Sequence, residues 1–134
     1  MSQANDIRAD RRYTKDHEWA LAKDGSVIVG VTAFAVDQLG DVTLINWDVK
    51  PGDRVEAGQV FGTIESVKTL SDLFAPIAGT VEKINDTLES APERVNEDCW
   101  DKGWMVAIRP DDPKATLALL DAKAYGEHIA TLEH

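Results

Sequence analysis

Short runs with an apolar residue at every second position alternate with clusters of turn-forming residues along this chain. The runs over 17–22 and 27–31 flank Asp24-Gly25. Asp-Gly between two alternating runs predicts a hairpin, since both residues tolerate positive φ. Thr32 predicts the N-cap of a short helix over 33–39, which Gly40 closes. Alternation resumes over 42–47, and Pro51-Gly52-Asp53 and Gly58 mark turns. Two strands of similar length, 60–65 and 70–75, flank Ser66-Val67-Lys68-Thr69, which reads as a hairpin tip. A further strand is expected over 79–84, then a long polar loop over 85–102 with a helical turn after Pro92, then a last strand over 104–108. Asp112-Pro113 supplies an N-cap and a first-turn proline, which predicts a helix over 113–120. A second helix is expected from 122 to about 129, where Tyr125 and Ile129 lie one turn apart. Many short strands at this spacing predict a barrel or sandwich. Val49-Lys50-Pro51-Gly52-Asp53-Arg54-Val55 resembles Phe74-Ala75-Pro76-Ile77-Ala78-Gly79-Thr80-Val81 in its proline, glycine and closing valine, a hint of two similar halves meeting at the central hairpin.

With 134 residues, the chain is expected to form one domain, able to bury roughly two-thirds of its unfolded surface without staples. The ends stand apart. Residues 1–12 are polar and charged and read as a loosely held arm, and 132–134 resemble the start of an expression-vector tail. The net charge of −10 would repel a phosphate backbone or an anionic membrane. A single cysteine excludes an internal disulfide framework and a multi-cysteine zinc site. Neither a secretory leader nor a bilayer-spanning run is visible, so a cytoplasmic, monomeric protein is expected.

Catalytic patterns are missing. The histidines, His17, His128 and His134, have no metal-ligand spacing. There is no nucleophile elbow, phosphate loop or zinc-protease helix. Asp111-Asp112 beside Pro113 suits helix capping better than metal binding. Cys99 reads most simply as an inert small side chain, with a reactive thiol as the sharper alternative. Residues 82–101 hold seven acids and two bases, half of the net charge. A solvated loop explains this, and so would a face that steers basic partner proteins. No enzyme acting alone is expected.

Lys68 is different because of its setting. A tip lysine is by default a solvated charge, but here two strands hold Glu65-Ser66-Val67-Lys68 outwards, where a cofactor-attaching enzyme can reach the amine. Acylation would remove the charge and add a long swinging arm, raising the effective concentration of its end at neighbouring active sites.

Taken in order, several segments make a pattern. They are Tyr13-Thr14-Lys15-Asp16-His17-Glu18-Trp19, Gly30-Val31-Thr32, Leu39-Gly40-Asp41 and Phe61-Gly62-Thr63-Ile64-Glu65-Ser66-Val67-Lys68. Ser71-Asp72-Leu73, Ala75-Pro76, Gly79 with Val81, Val95-Asn96-Glu97-Asp98 and Gly103-Trp104-Met105 complete it. The chain resembles the H proteins of the glycine cleavage system over 13 to about 129. The resemblance implies a mostly β, flattened barrel-sandwich of the lipoyl-carrier type with short C-terminal helices, in one carrier domain over 13–131. It implies lipoic acid in amide linkage on Lys68, within the Glu65-Ser66-Val67-Lys68 motif. It implies a dithiolane that takes up an aminomethyl group, and a non-catalytic shuttle role. Implied partners are a lipoate-attaching enzyme, glycine decarboxylase, aminomethyltransferase and dihydrolipoamide dehydrogenase. Glu18 and Asp72 would face the cationic amine of the loaded arm in a surface cleft. Apart from the resemblance, Glu18 reads as a strand-end surface acid and Asp72 as a strand-edge charge.

Two departures open a second reading. The stretch from Asn46 to Val55 looks more like the generic lipoyl domain of 2-oxoacid dehydrogenases, and Cys99 stands where H proteins often have a non-thiol residue. H-protein-like lipoate-binding proteins also serve bacterial sulfur oxidation beside a heterodisulfide-reductase-like complex. A thiol near the arm, Cys99, would suit that chemistry. A third class, an unmodified scaffold relative, is opposed by the intact lysine tip.

Overall fold

The computed structural model describes residues 6–132. Among the described residues nine strands carry the fold: β1 (Arg12–Tyr13), β2 (Glu18–Lys23), β3 (Ser26–Val31), β4 (Val42–Trp47), β5 (Arg54–Val55), β6 (Val60–Ser66), β7 (Leu70–Phe74), β8 (Gly79–Ile84) and β9 (Val106–Pro110). Four helices connect and cover them: α1 (Ala33–Leu39), α2 (Thr87–Ser90), α3 (Arg94–Glu97) and α4 (Ala122–Leu132). One sheet runs β1-β2-β3-β9-β8-β5, the other β4-β6-β7. All pairings are antiparallel.

Alternation puts one apolar face of each sheet inwards. Val29, Val31, Val55, Val81 and Ile108 from the larger sheet share a core with Val42, Ile45, Phe61, Ile64 and Leu73 from the smaller one. The sheets therefore form the two faces of a sandwich. A second cluster, built on Tyr13, Trp19, Phe34, Trp100, Tyr125 and Ile129, seats α4 against the outside. The glycine at Gly30 is set by Trp19, its cross-strand partner, whose indole fills the space a Cβ would need.

Most expected elements are present at their expected places. The β2–β3 turn has Asp24 at φ 53° and Gly25 at φ 83°, as an Asp-Gly hairpin requires. Thr32 caps α1 by accepting the Ala35 N–H at 3.2 Å, and Gly40 closes it at φ 75°. The two resembling stretches lie side by side, with Arg54 paired to Thr80 and Val55 to Gly79.

Three expectations are corrected. The helix expected over 113–120 is only a 3-10 turn at Ala115–Ala118. Leu120 exchanges backbone hydrogen bonds with Tyr13, which draws the chain straight before another turn can form. Asp112 still accepts the Lys114 N–H at 2.9 Å, while Asp111 pairs with Arg54 at 2.6 Å. The last strand is Val106–Pro110, two residues later than expected, because the Trp104 carbonyl is engaged by the Asn85 side chain and its N–H by Asp101. The long polar loop holds, besides the expected helical turn after Pro92 (α3), an unexpected one (α2), the two anchored by buried Val95 and Leu88.

Residues 6–12, expected to belong to a loose arm, are docked. Arg8 N–H donates to the Tyr13 hydroxyl at 2.7 Å. Arg11 donates to the Trp100 carbonyl at 2.9 Å and lies over the Trp19 ring at 4.6 Å. Leu132 ends α4; the other two residues expected to belong to a vector tail lie outside the described residues.

Candidate functional site

The lysine tip is held by its own turn and by its neighbour. Ser66 is buried, and its hydroxyl accepts the N–H groups of Lys68 at 3.2 Å and Thr69 at 3.1 Å. Its N–H donates to the Thr69 carbonyl at 2.8 Å, closing the hairpin. Serine suits this place because its short side chain can satisfy backbone donors that the three-residue loop leaves orphaned. Val67 N–H donates to the Asp41 carbonyl at 3.0 Å, in the turn after α1. The tip thus leans on the α1–β4 turn instead of projecting freely. Glu65, Val67 and Lys68 are exposed. The Lys68 side chain runs along Gly40, with Cε 3.3 Å from where a Cβ would stand.

One residue away, Leu39 opens a surface cleft of about 400 Å³. Val31, Phe34, Ala35, Leu39, Ile64 and Leu73 form its apolar wall. Asp16, Glu18 and Asp72 add three acids to the lining, and Leu132 from the last turn of α4 also lines it. The two acids expected at such a cleft are both there, although β2 and β7 belong to different sheets.

Their environments differ. Asp72 is exposed and stands on β7 opposite Thr63. Glu18 is 2% exposed. The reading of Glu18 as a surface acid is therefore corrected: strand β2 turns it inwards, where Phe74 N–H donates to its Oε2 and the Thr14 hydroxyl to its Oε1, both at 3.0 Å. Burial pushes its pKa up to about 8, outweighing both hydrogen bonds, which favour the carboxylate. At neutral pH this group holds its proton most of the time.

Cys99 does not join the site. It is buried among Tyr13, Trp19, Phe34 and Trp100, and burial pushes its thiol up to about 12. It is absent from the cleft lining. Its burial and its place outside the cleft give the auxiliary-thiol expectation no support and suit the simpler reading of an inert small side chain. The sulfur-oxidation reading thereby loses the residue that motivated it.

Neither the apolar wall as a unit nor Leu132 was visible along the chain. Nor was the seat of α4. Tyr125 stacks on Tyr13 at 4.5 Å, and its hydroxyl meets the Thr32 hydroxyl at 2.7 Å and His17 Nδ1 at 2.9 Å. The His17 and His128 rings lie 5.8 Å apart, a proximity that their distance in sequence conceals. The i, i+4 spacing of Tyr125 and Ile129 was the one available signal.

Comparison with known proteins gives the family. The sequence profile of the family described as "Glycine cleavage H-protein" matches residues 11–132. A glycine cleavage system H protein of Anaeromyxobacter sp. (strain K) is 51% identical over 129 residues, covering 96% of this chain and 99% of the relative. That of Chlorobium limicola is 51% identical over 126 residues, covering 92% of this chain and 97% of the relative. The crystal structure of a glycine cleavage system H protein from Mycobacterium marinum matches with a TM-score of 0.83 at 34% identity, over 96% of this chain and all of that one.

Proposed function

The chain belongs to the glycine cleavage H-protein family, and from that premise we propose that Lys68 carries its lipoyl arm and that the cleft beside the tip receives the arm's loaded end. The protein is a lipoate-carrying H protein, a carrier in glycine cleavage. The observation that supports the arm's placement is one of adjacency. Lys68 runs along Gly40, and the next residue back, Leu39, lines a cleft that also holds apolar side chains and three acids. Such a lining fits a long aliphatic arm with a cationic terminus. Attached lipoate supplies a dithiolane that accepts and gives up the aminomethyl group.

This chain's residues do the rest. Ser66 fixes the turn so that the Lys68 amine faces an attaching enzyme. The wall from Phe34 to Leu73 excludes water from the arm. Asp72 offers an exposed carboxyl group in the cleft lining. Glu18 holds a proton until a cation arrives, because a positive neighbour favours its carboxylate form and offsets the burial cost. Asp16 adds to the attraction. The working partners are glycine decarboxylase, aminomethyltransferase and dihydrolipoamide dehydrogenase, after modification by a lipoate-attaching enzyme, and the setting is cytoplasmic.

Intact mass after coexpression with a lipoate-attaching enzyme tests the site. The expected result is the gain of one lipoyl group, lost in both Lys68→Ala and Lys68→Arg. A gain that survives either substitution would remove Lys68 from the role. Glycine–bicarbonate exchange with glycine decarboxylase then tests the pathway. Lipoylated protein is expected to support exchange, and failure to do so would show that the arm serves other enzymes.

A further inference from the structure

The α1–β4 turn on which the lysine tip leans is itself held from a third direction. Asn96, on α3, donates its side-chain amide to the Gly40 carbonyl at 2.8 Å. Its Oδ1 accepts the Val42 N–H, also at 2.8 Å. One side chain thus spans both ends of the three-residue turn Gly40-Asp41-Val42. Asp41, between them, supplies the carbonyl that takes the Val67 N–H. Gly40 is the residue along which the Lys68 stem runs, and it also closes α1, whose Leu39 opens the cleft.

We infer that Asn96 is a positioning residue for the lysine arm. It fixes the turn that sets both the height of the tip and the direction in which the Lys68 side chain leaves it. The role needs asparagine, with a donor and an acceptor on one short planar group. Leucine would offer neither. Aspartate would offer only the acceptor and would set a carboxylate against the Gly40 carbonyl. The role of the helical turn α3 follows. Buried Val95 anchors α3, which presents Asn96 to the turn.

The inference rests on Lys68 carrying the arm, so its test has one readout that does not depend on lipoate. In Asn96→Ala, amide hydrogen exchange at Val67 is expected to accelerate by tenfold or more, since its acceptor is no longer fixed. In the same variant, kcat/KM for lipoylation by a lipoate-attaching enzyme is expected to fall at least fivefold. Asn85→Ala is the matched control. Asn85 is buried and its amide donates to the Lys102 and Trp104 carbonyls, at the other ends of the same segment. Its loss should lower the melting temperature as much or more, yet leave Val67 exchange and lipoylation within twofold of the parent. Equal effects of the two variants on Val67 and on lipoylation would reduce Asn96 to a general stabiliser and overturn the inference. So would unchanged Val67 exchange in Asn96→Ala. If the parent itself takes no lipoate on Lys68, the proposed attachment site fails, while the exchange data still decide whether Asn96 positions the tip.

Discussion

Glu18 combines near-complete burial with two hydrogen bonds that favour its charged form, and burial wins. Its folded pKa, about 8, lies above the ordinary value of 4.5. The folded protein therefore binds more protons between these values than the unfolded chain does. By linkage, Glu18's contribution to stability is fully present below about 4.5 and is lost as pH rises through about 8. Glu18→Gln keeps the shape and removes the titration. Urea melts at pH 6 and pH 8.5 should show the variant gaining on the parent at the higher pH, and parallel behaviour at both would refute this account. If Glu18 pairs with the loaded amine as proposed, the same substitution removes that partner, and release of the carried group to water should speed up several-fold. Lys68→Arg belongs to this scale as well. The residue is exposed and keeps its charge, so the melting temperature should move by no more than about 2 °C, in line with surface substitutions. A large loss of stability would mean that the tip is more deeply packed than its exposure indicates.

The helix α4 is held by a hydroxyl and a ring stack. Tyr125 shares its hydroxyl with Thr32 and His17, and its ring with Tyr13. Tyr125→Phe keeps the stack and removes the bridge, at a cost of about 1–3 kcal/mol for the polar groups left behind. A thermal melt measures it, and no change would show that water replaces the hydroxyl. His17 is also a pH-sensitive point in the seat. Burial holds its pKa below the ordinary 6.5, the neighbouring His128 lowers it further, and Asp16 opposes both. Tyr125, whose hydroxyl meets Nδ1, and Glu18, the next residue in the chain, also flank it. A depressed histidine pKa means that stability is full above about 6.5 and is lost as pH falls through the lower folded value. Protection of the amides over 122–132, corrected for the intrinsic slowing of exchange at lower pH, should therefore fall between pH 7 and pH 5 more than protection in β3 and β9. His17→Asn, which tolerates the left-handed backbone at φ 69° and does not titrate in this range, should abolish the difference. Since Leu132 lines the cleft, movement of α4 would open the cleft from one side.

At the scale of the molecule, the sandwich depends on close backbone approach at a few glycines. A Cβ at Gly79 would collide with the Arg109 carbonyl, and one at Gly62 with the Asn46 carbonyl. Gly79 sits where β5, β8 and β9 meet, paired to both Val55 and Pro110. Gly79→Ala must push main chain apart, at about 2–3 kcal/mol. For a chain of this length that corresponds to a drop of roughly 10 °C in melting temperature, and a drop under 2 °C would show that the sheet gives way easily. Charge acts at the same scale. The net −10 is an overall property that a partner meets before any contact forms. Association with a basic partner should slow steeply with added salt, whereas the melting temperature should change little, because the surface ion pairs Arg54–Asp111 and Arg54–Glu56 are exposed.

Local chemistry is what the sequence determined by itself. The Asp24-Gly25 hairpin, the Thr32 cap with its Gly40 stop, the pairing of 60–65 with 70–75 and the lysine tip between them are all set by residues within a few positions of one another. The strand alternation gave the sandwich for the same reason, since side-chain period is a local property. The ordered motifs gave the family. Tertiary structure alone decided which distant residues meet. It turned Glu18 inwards and set it in one cleft with Asp72, and it buried Cys99 among aromatic rings. It stopped the expected helix over 113–120 by pairing Leu120 with Tyr13, and it docked residues 6–12 through Arg11 and Trp100. It brought Asn96 to a turn more than fifty positions away. None of these could be read along the chain, because burial and the pKa it imposes depend on atoms supplied by other elements. The chain's own order carries no record of which elements those will be.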